Sequence, residues 1–149
     1  MRLTSLSELH CSIARTLDVV GEWWTLLIVR DALRGTRRFE DFADSLGLAR
    51  SVLTARLRKL TEAGILERQL YSEHPPRYEY ELTDKGRALF GVIVALMQWG
   101  DAWEQGPAGP PRQLVHELCG HVTQPVLTCP HCQGEVTAGN TRSEPTRAA

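Results

Sequence analysis

Three sets of side chains in this sequence carry chemistry. The first is a run of cations, Arg34, Arg37, Arg38, Arg50, Arg56, Arg58 and Lys59, set against Glu40, Asp41 and Asp44. Seven positive and three negative charges leave a local +4 over residues 34–59, in a chain whose formal net charge is -1. A chain so nearly balanced does not coat a polyanion by bulk charge, so this excess points to contact with phosphates and base edges at a defined site. The second set is Cys11, alone near the N-terminus beside His10 and Arg15. The third crowds the last third of the chain: Cys119 and His121 as C-x-H, Cys129 and Cys132 as C-x-x-C, with His116 and His131 between and beside them.

The cations acquire meaning from the helix that must carry them. Leu53, Leu57 and Leu60 recur at helical spacing in ARSVLTARLRKLTEAG and predict a helix over 50–63, closed by Gly64, with one narrow apolar stripe. That stripe faces the core, which places Ser51, Ala55 and Arg58 on the opposite side and Thr54 and Lys59 on the flanks. An α-helix fits the DNA major groove, where Arg bonds guanine in pairs, Ser and Thr bond several base edges and Ala touches a thymine methyl. Arg50, Ser51, Thr54 and Arg58 are therefore the expected readers, the N-terminal half lying closest to the bases. Arg56, near the edge of the stripe, suits a phosphate contact or a structural ion pair as well as a base. Arg37 and Arg38 precede a short helix whose free amides suit a phosphate. The plainer alternative is that the charges form only a solvated face.

The surrounding elements follow from periodicity. Ile13, Leu17 and Val20 predict a first helix ended by Gly21; Trp24, Leu27, Ile28 and Ala32 a second, ended by Gly35; Phe39, Phe42, Ala43 and Leu46 a third, ended by Gly47. The third and fourth helices form a helix-turn-helix. ILERQLY and RYEYEL alternate like strands, separated by SEHPP, whose prolines are expected to stand outside the ladder. In that hairpin, or wing, His74 and Arg77 are placed to reach a minor groove or backbone. Thr83 caps a fifth helix, expected to run unbroken to Trp103 before GPAGPP breaks the chain. The fold class is therefore mainly α with a small β-hairpin, a winged helix-turn-helix followed by a short Cys/His appendage. Its expected divisions are 1–105 for the DNA-binding part, 106–136 for the appendage and 137–149 for a disordered tail.

Composition sets outer limits. Hydrophobic residues make up 42% and charged residues 23% of the 149, with no apolar run long enough for a membrane span. MRLTSLSELH shows no signal-peptide pattern, so the expected location is the cytoplasm, on the nucleoid when DNA is bound. The cysteines are then expected to be thiols, metal ligands or redox sensors, not a disulfide framework. A C-x-x-C oxidoreductase would want a βαβ setting that is missing, so no enzyme activity is expected. A winged helix used only as a protein adaptor stands as the alternative.

With these residues in view, the chain resembles the HxlR family of bacterial winged-helix regulators over about residues 10–104. The resemblance rests on Cys11 before ARTLDVVGEWWTLLIVRDAL, on RRFEDF, on SVLTARLRKLTEAGILER and on YEYELTDKGRAL. It implies a homodimer in which N- and C-terminal helices pair, presenting two recognition helices to an inverted-repeat operator in double-stranded DNA. Half-sites about 34 Å apart would suit that symmetry. Repression is the usual outcome in such proteins. The sequence departs at Gly21, Glu22, Trp23, Trp24, where many members have glycine and lysine before a single tryptophan; Trp23 is expected to alter packing and leave the fold intact.

The resemblance also implies that Cys11 senses oxidants or electrophiles. A helix N-terminus and His10 or Arg15 nearby would favour its thiolate, the reactive form. An inert helix residue is the plainer reading. No cofactor is required for DNA binding. A structural zinc ion is nonetheless a candidate for the appendage, with Cys119, His121, Cys129 and Cys132 as ligands, since a unit with so little core would fold largely through the ion. A free dithiol or reversible disulfide at Cys129 and Cys132 is the alternative. The stripe of Ile93, Leu96, Trp99 and Trp103 suits a dimer interface better than a pocket for a small-molecule effector.

Overall fold

The computed structural model describes residues 5–146, which divide between Leu96 and Met97 into two compact units. The first unit opens with a 3-10 turn, Leu6–Glu8, that the periodicity did not signal. The Leu6 amide donates to Asp18 Oδ1 at 2.9 Å, tying this turn to helix α1, Ser12–Val20. Gly21 closes α1 by donating its amide to the Leu17 carbonyl at 2.8 Å. A Cβ at this position would stand 2.4 Å from that oxygen, so only glycine fits the corner. Helix α2, Trp23–Leu33, starts after Glu22, whose carboxylate accepts the Trp24 amide.

Helices α3, Phe39–Leu46, and α4, Arg50–Glu62, form the helix-turn-helix, with Gly47 at φ 62 in the left-handed position between them. Leu53, Leu57 and Leu60 are buried as their spacing required, against Ile28, Val29, Phe42, Ile65, Leu66 and Leu82. Burying each such aliphatic side chain stabilises the unit by roughly 1.5–3 kcal/mol relative to exposure. That packing fixes the rotation of α4 and hence which of its side chains face outward.

Strands β1, Leu66–Glu73, and β2, Pro76–Leu82, pair antiparallel, with Leu66 opposite Leu82 and an irregularity between Leu70 and Ser72. The expectation that both prolines stand outside the ladder fails for Pro76. It opens β2 opposite Glu73, because the first position of a strand at the hairpin tip tolerates a missing amide. Residues before α3 also join this sheet: the Tyr80 amide donates to the Arg37 carbonyl at 2.8 Å, and Arg38 bridges Glu79. The helix-turn-helix is thus stitched to the wing at its entry.

After the wing, Thr83 caps as expected, its Oγ1 accepting the Gly86 amide at 3.1 Å. The expected unbroken fifth helix is instead two, α5 over Asp84–Arg87 and α6 over Phe90–Trp103. The Leu89 amide bonds back three residues to the Gly86 carbonyl, a 3-10 step that interrupts the α-helical ladder between them.

The second unit takes the C-terminal part of α6 and two short strands, β3, Leu114–His116, and β4, His121–Thr123, paired with His116 opposite His121. An isolated bridge joins Thr128 to Glu135. Asn140 donates to the Glu135 carbonyl and accepts the Thr137 amide, so the start of the segment expected to be a disordered tail makes a local turn. Residues 147–149 of that tail lie outside the described residues. Among the described residues no helix is long and apolar enough to cross a membrane.

Candidate nucleic-acid interface

With its leucine stripe inside, α4 presents Ser51, Thr54, Ala55 and Arg58 to solvent. Arg58 is the most available of its arginines. Its side chain is 74% exposed, and its partner, Glu62 one turn on, is 3.8 Å away and 70% exposed. An ion pair so loose and so wet holds the guanidinium weakly. Thr54 Oγ1 donates to the Arg50 carbonyl at 2.8 Å, which leaves its lone pairs to accept from a base.

Arg50 is differently placed. Its two terminal nitrogens donate to the two carboxylate oxygens of Glu40 at 2.7 and 2.9 Å, and the guanidinium stacks over the Phe39 ring at 4.7 Å. The hydrogen bonds from Arg50, reinforced by its charge, hold the Glu40 carboxyl below the ordinary glutamate range; the same pairing raises Arg50. Arg56 pairs with Glu22 at 2.5 Å and is only 27% exposed in its side chain, with Nε buried and unpartnered. Of its three readings, this contact corresponds to the structural ion pair. Lys59 Nζ donates to the Asp18 carbonyl at 3.2 Å, near the end of α1.

Arg37 meets Glu81 at 2.7 Å, and Arg38 lies 3.9 Å from Glu79 and over the Tyr71 ring at 4.9 Å. Both arginine side chains remain more than half exposed, at 57% and 58%. On the wing, His74 and Arg77 are exposed, with Arg77 paired opposite Ser72 in the ladder. Arg68, which the sequence reading passed over, stacks on Tyr78 at 4.0 Å. The local +4 is thus partly neutralised by carboxylates from outside its window, namely Glu22, Glu62, Glu79 and Glu81.

Asp31 also escaped the sequence reading. It is buried at 3% exposure, accepts from Arg30 Nε at 2.8 Å and from Ser45 Oγ at 2.7 Å, and so links α2 to α3. Its neighbours Arg30 and Arg34 are local, but the Ser45 bond that reaches another helix is not marked by any local pattern.

Cys11 is exposed at the N-cap of α1, where its side chain makes no capping bond, and Arg15 donates to Ser12 Oγ at 3.0 Å. In the second unit Cys119 Sγ lies 3.4 Å from His116 Nδ1, while His121 stands across the β3–β4 pair from His116. Among the described residues, no three His, Cys, Asp or Glu side chains are gathered about one ion position.

The model of HxlR-like helix-turn-helix proteins matches residues 19–107, which span the helix-turn-helix, the wing and α6. This chain belongs to the HxlR-like helix-turn-helix family. It is therefore a transcription regulator of a DNA-binding, winged-helix class. Among relatives of this HxlR-like chain, an uncharacterized HTH-type transcriptional regulator of Mycobacterium tuberculosis, Rv3095, is 51% identical over 134 residues, covering 90% of this chain and 85% of the relative. The crystal structure of PA1607, a candidate transcription factor, superposes with a TM-score of 0.82 at 40% identity, covering 93% of this chain and 96% of that one. The redox regulator HypR in its reduced form gives a TM-score of 0.59 at 32% identity over 62% of this chain and 92% of its own.

Proposed function

We propose that this HxlR-like regulator binds an inverted-repeat operator as a homodimer and represses transcription. The carrying observation is the outer face of α4, where Arg58 is exposed, loosely paired and set opposite the buried leucines. Arg58, Ser51 and Thr54 read base edges, with Ala55 against a thymine methyl. Arg50 acts through Glu40 and Phe39 to fix the start of the reading helix against α3. Arg37, Arg38 and Lys59 supply phosphate contacts, and His74 and Arg77 extend them from the wing. Arg56 secures α4 to Glu22.

Dimerisation is supported by apolar side chains with nothing to cover them. Ile13, Leu17 and Trp23 are 72%, 49% and 85% exposed, and on α6 Leu96, Trp99 and Trp103 are 51%, 59% and 74% exposed. Large apolar groups exposed along one face of a helix, as at Leu96, Trp99 and Trp103, mark interaction surfaces. Control through Cys11 is supported by its exposure and by the likeness to a redox regulator. Footprinting on the DNA upstream of the chain's own gene tests the reading: two protected half-sites about 34 Å apart are expected, and salt-insensitive or undetectable binding to every upstream fragment tried counts against it.

A further inference from the structure

The second unit contains two turns built to one plan. In the first, the His116 carbonyl accepts the amide of Gly120, four residues on, at 2.7 Å, and Gly120 is left-handed at φ 71. In the second, the Cys129 carbonyl accepts the amide of Gln133, also four residues on, at 2.9 Å, and Gln133 is left-handed at φ 59. Gln133 is the one non-glycine at positive φ among the described residues, a costly conformation that local structure must maintain. Each turn carries a zinc-compatible ligand at its first and fourth positions: His116 and Cys119, then Cys129 and Cys132. Each also sits in a β-connection, the first between β3 and β4 and the second inside the Thr128–Glu135 bridge.

The side chains within each turn are already close. Cys119 Sγ and His116 Nδ1 are 3.4 Å apart, a separation that two ligands of one tetrahedral ion can share. In the second turn the amides of Cys132 and His131 and the Cys132 thiol all direct hydrogen bonds at Cys129. Little else holds this part of the chain together. Its strands are three residues long, and Leu118, Val126 and Leu127 are 90%, 65% and 74% exposed. A paired strand unit that small is marginal in water without a metal or a disulfide.

We infer that His116, Cys119, Cys129 and Cys132 form a structural zinc site, each turn supplying half of the tetrahedron. This replaces His121 of the ligand set expected from sequence with His116, because the repeated turn puts the histidine three residues before its cysteine. The halves are preformed, and the ion draws them together, with neutral imidazole as one ligand and three thiols releasing their protons to solvent. The site lies wholly within the second unit and does not rest on the DNA-binding proposal.

The test uses the full chain, purified without a polyhistidine tag under reducing conditions. About one zinc per chain is expected, and cobalt(II) in its place should give the intense visible bands of a tetrahedral thiolate site. His116→Ala and Cys119→Ser should lose those bands, whereas His121→Ala should keep them. His116→Cys, a ligand-for-ligand exchange, should retain the metal with stronger sulfur-to-cobalt charge transfer, which separates ligation from a general folding defect. Zinc-free protein that gives only octahedral cobalt bands overturns the site. Bands that survive His116→Ala but not His121→Ala overturn the choice of histidine.

Discussion

Arg50 grips both carboxylate oxygens of Glu40, at 2.7 and 2.9 Å, while lying over the Phe39 ring. The pair joins the first residue of the reading helix to the first turn of the helix before it. A guanidinium with two donors committed to a carboxylate must break that fork before it can bind guanine in the same way. This geometry supports the proposal that Arg50 positions α4 and that reading falls chiefly to Arg58.

If positioning is the role, removing either partner should do the same thing. Glu40→Ala and Arg50→Ala are expected to weaken operator binding by similar factors, and the double variant no more than either alone. Fluorescence anisotropy on one labelled operator gives all four affinities. Unchanged or tighter binding by Glu40→Ala, with weaker binding by Arg50→Ala, would make Arg50 a direct reader.

The same pair has a pH signature. Because the folded state lowers the Glu40 pKa, its contribution to stability is complete above the unfolded glutamate value and disappears as pH falls through the lowered folded one. Glu40→Gln should therefore flatten the acid side of a Tm-against-pH profile while leaving the profile near neutrality parallel to wild type. Parallel acid limbs would show that the pair is not maintained in solution.

Asp31 ties two helices of the reading unit together from inside. Asp31→Ala strands Ser45 Oγ and frees Arg30, whose side chain is 30% exposed and can rehydrate. A loss of about 1–3 kcal/mol in urea unfolding is expected, on the scale of a broken buried hydrogen-bond network. A change within ~0.5 kcal/mol, the range of ordinary surface substitutions, would contradict the role.

Cys11 is the exposed thiol of the first unit among the described residues. Wild-type protein treated with diamide or a quinone should release its operator, and Cys11→Ser should hold it under the same treatment. Release by both proteins alike would exclude Cys11 as the sensor.

How much of this was legible in the sequence depends on the range of each interaction. The leucine stripe of α4, the glycine stops and the Thr83 cap are local, written in residues three or four apart, and they fixed the outward face of the reading helix. What escaped was long-range. Glu22 reaches Arg56, Glu81 reaches Arg37, and Ser45 reaches Asp31, each from another element. A charge count over one window therefore overstated the free cations. The H-x-x-C spacing of His116 and Cys119 was legible beside C-x-x-C, but C-x-H competed with it, and the repeated five-residue turn is what favours His116.

The reading face of α4 is tested most directly by comparing wild-type and Arg58→Ala protein on one footprinted operator at fixed salt. The expected result is a loss of about 1–3 kcal/mol, roughly 5- to 150-fold in Kd, with unchanged thermal stability and unchanged binding to unrelated DNA. Equal affinity of the two proteins for the operator would contradict the account.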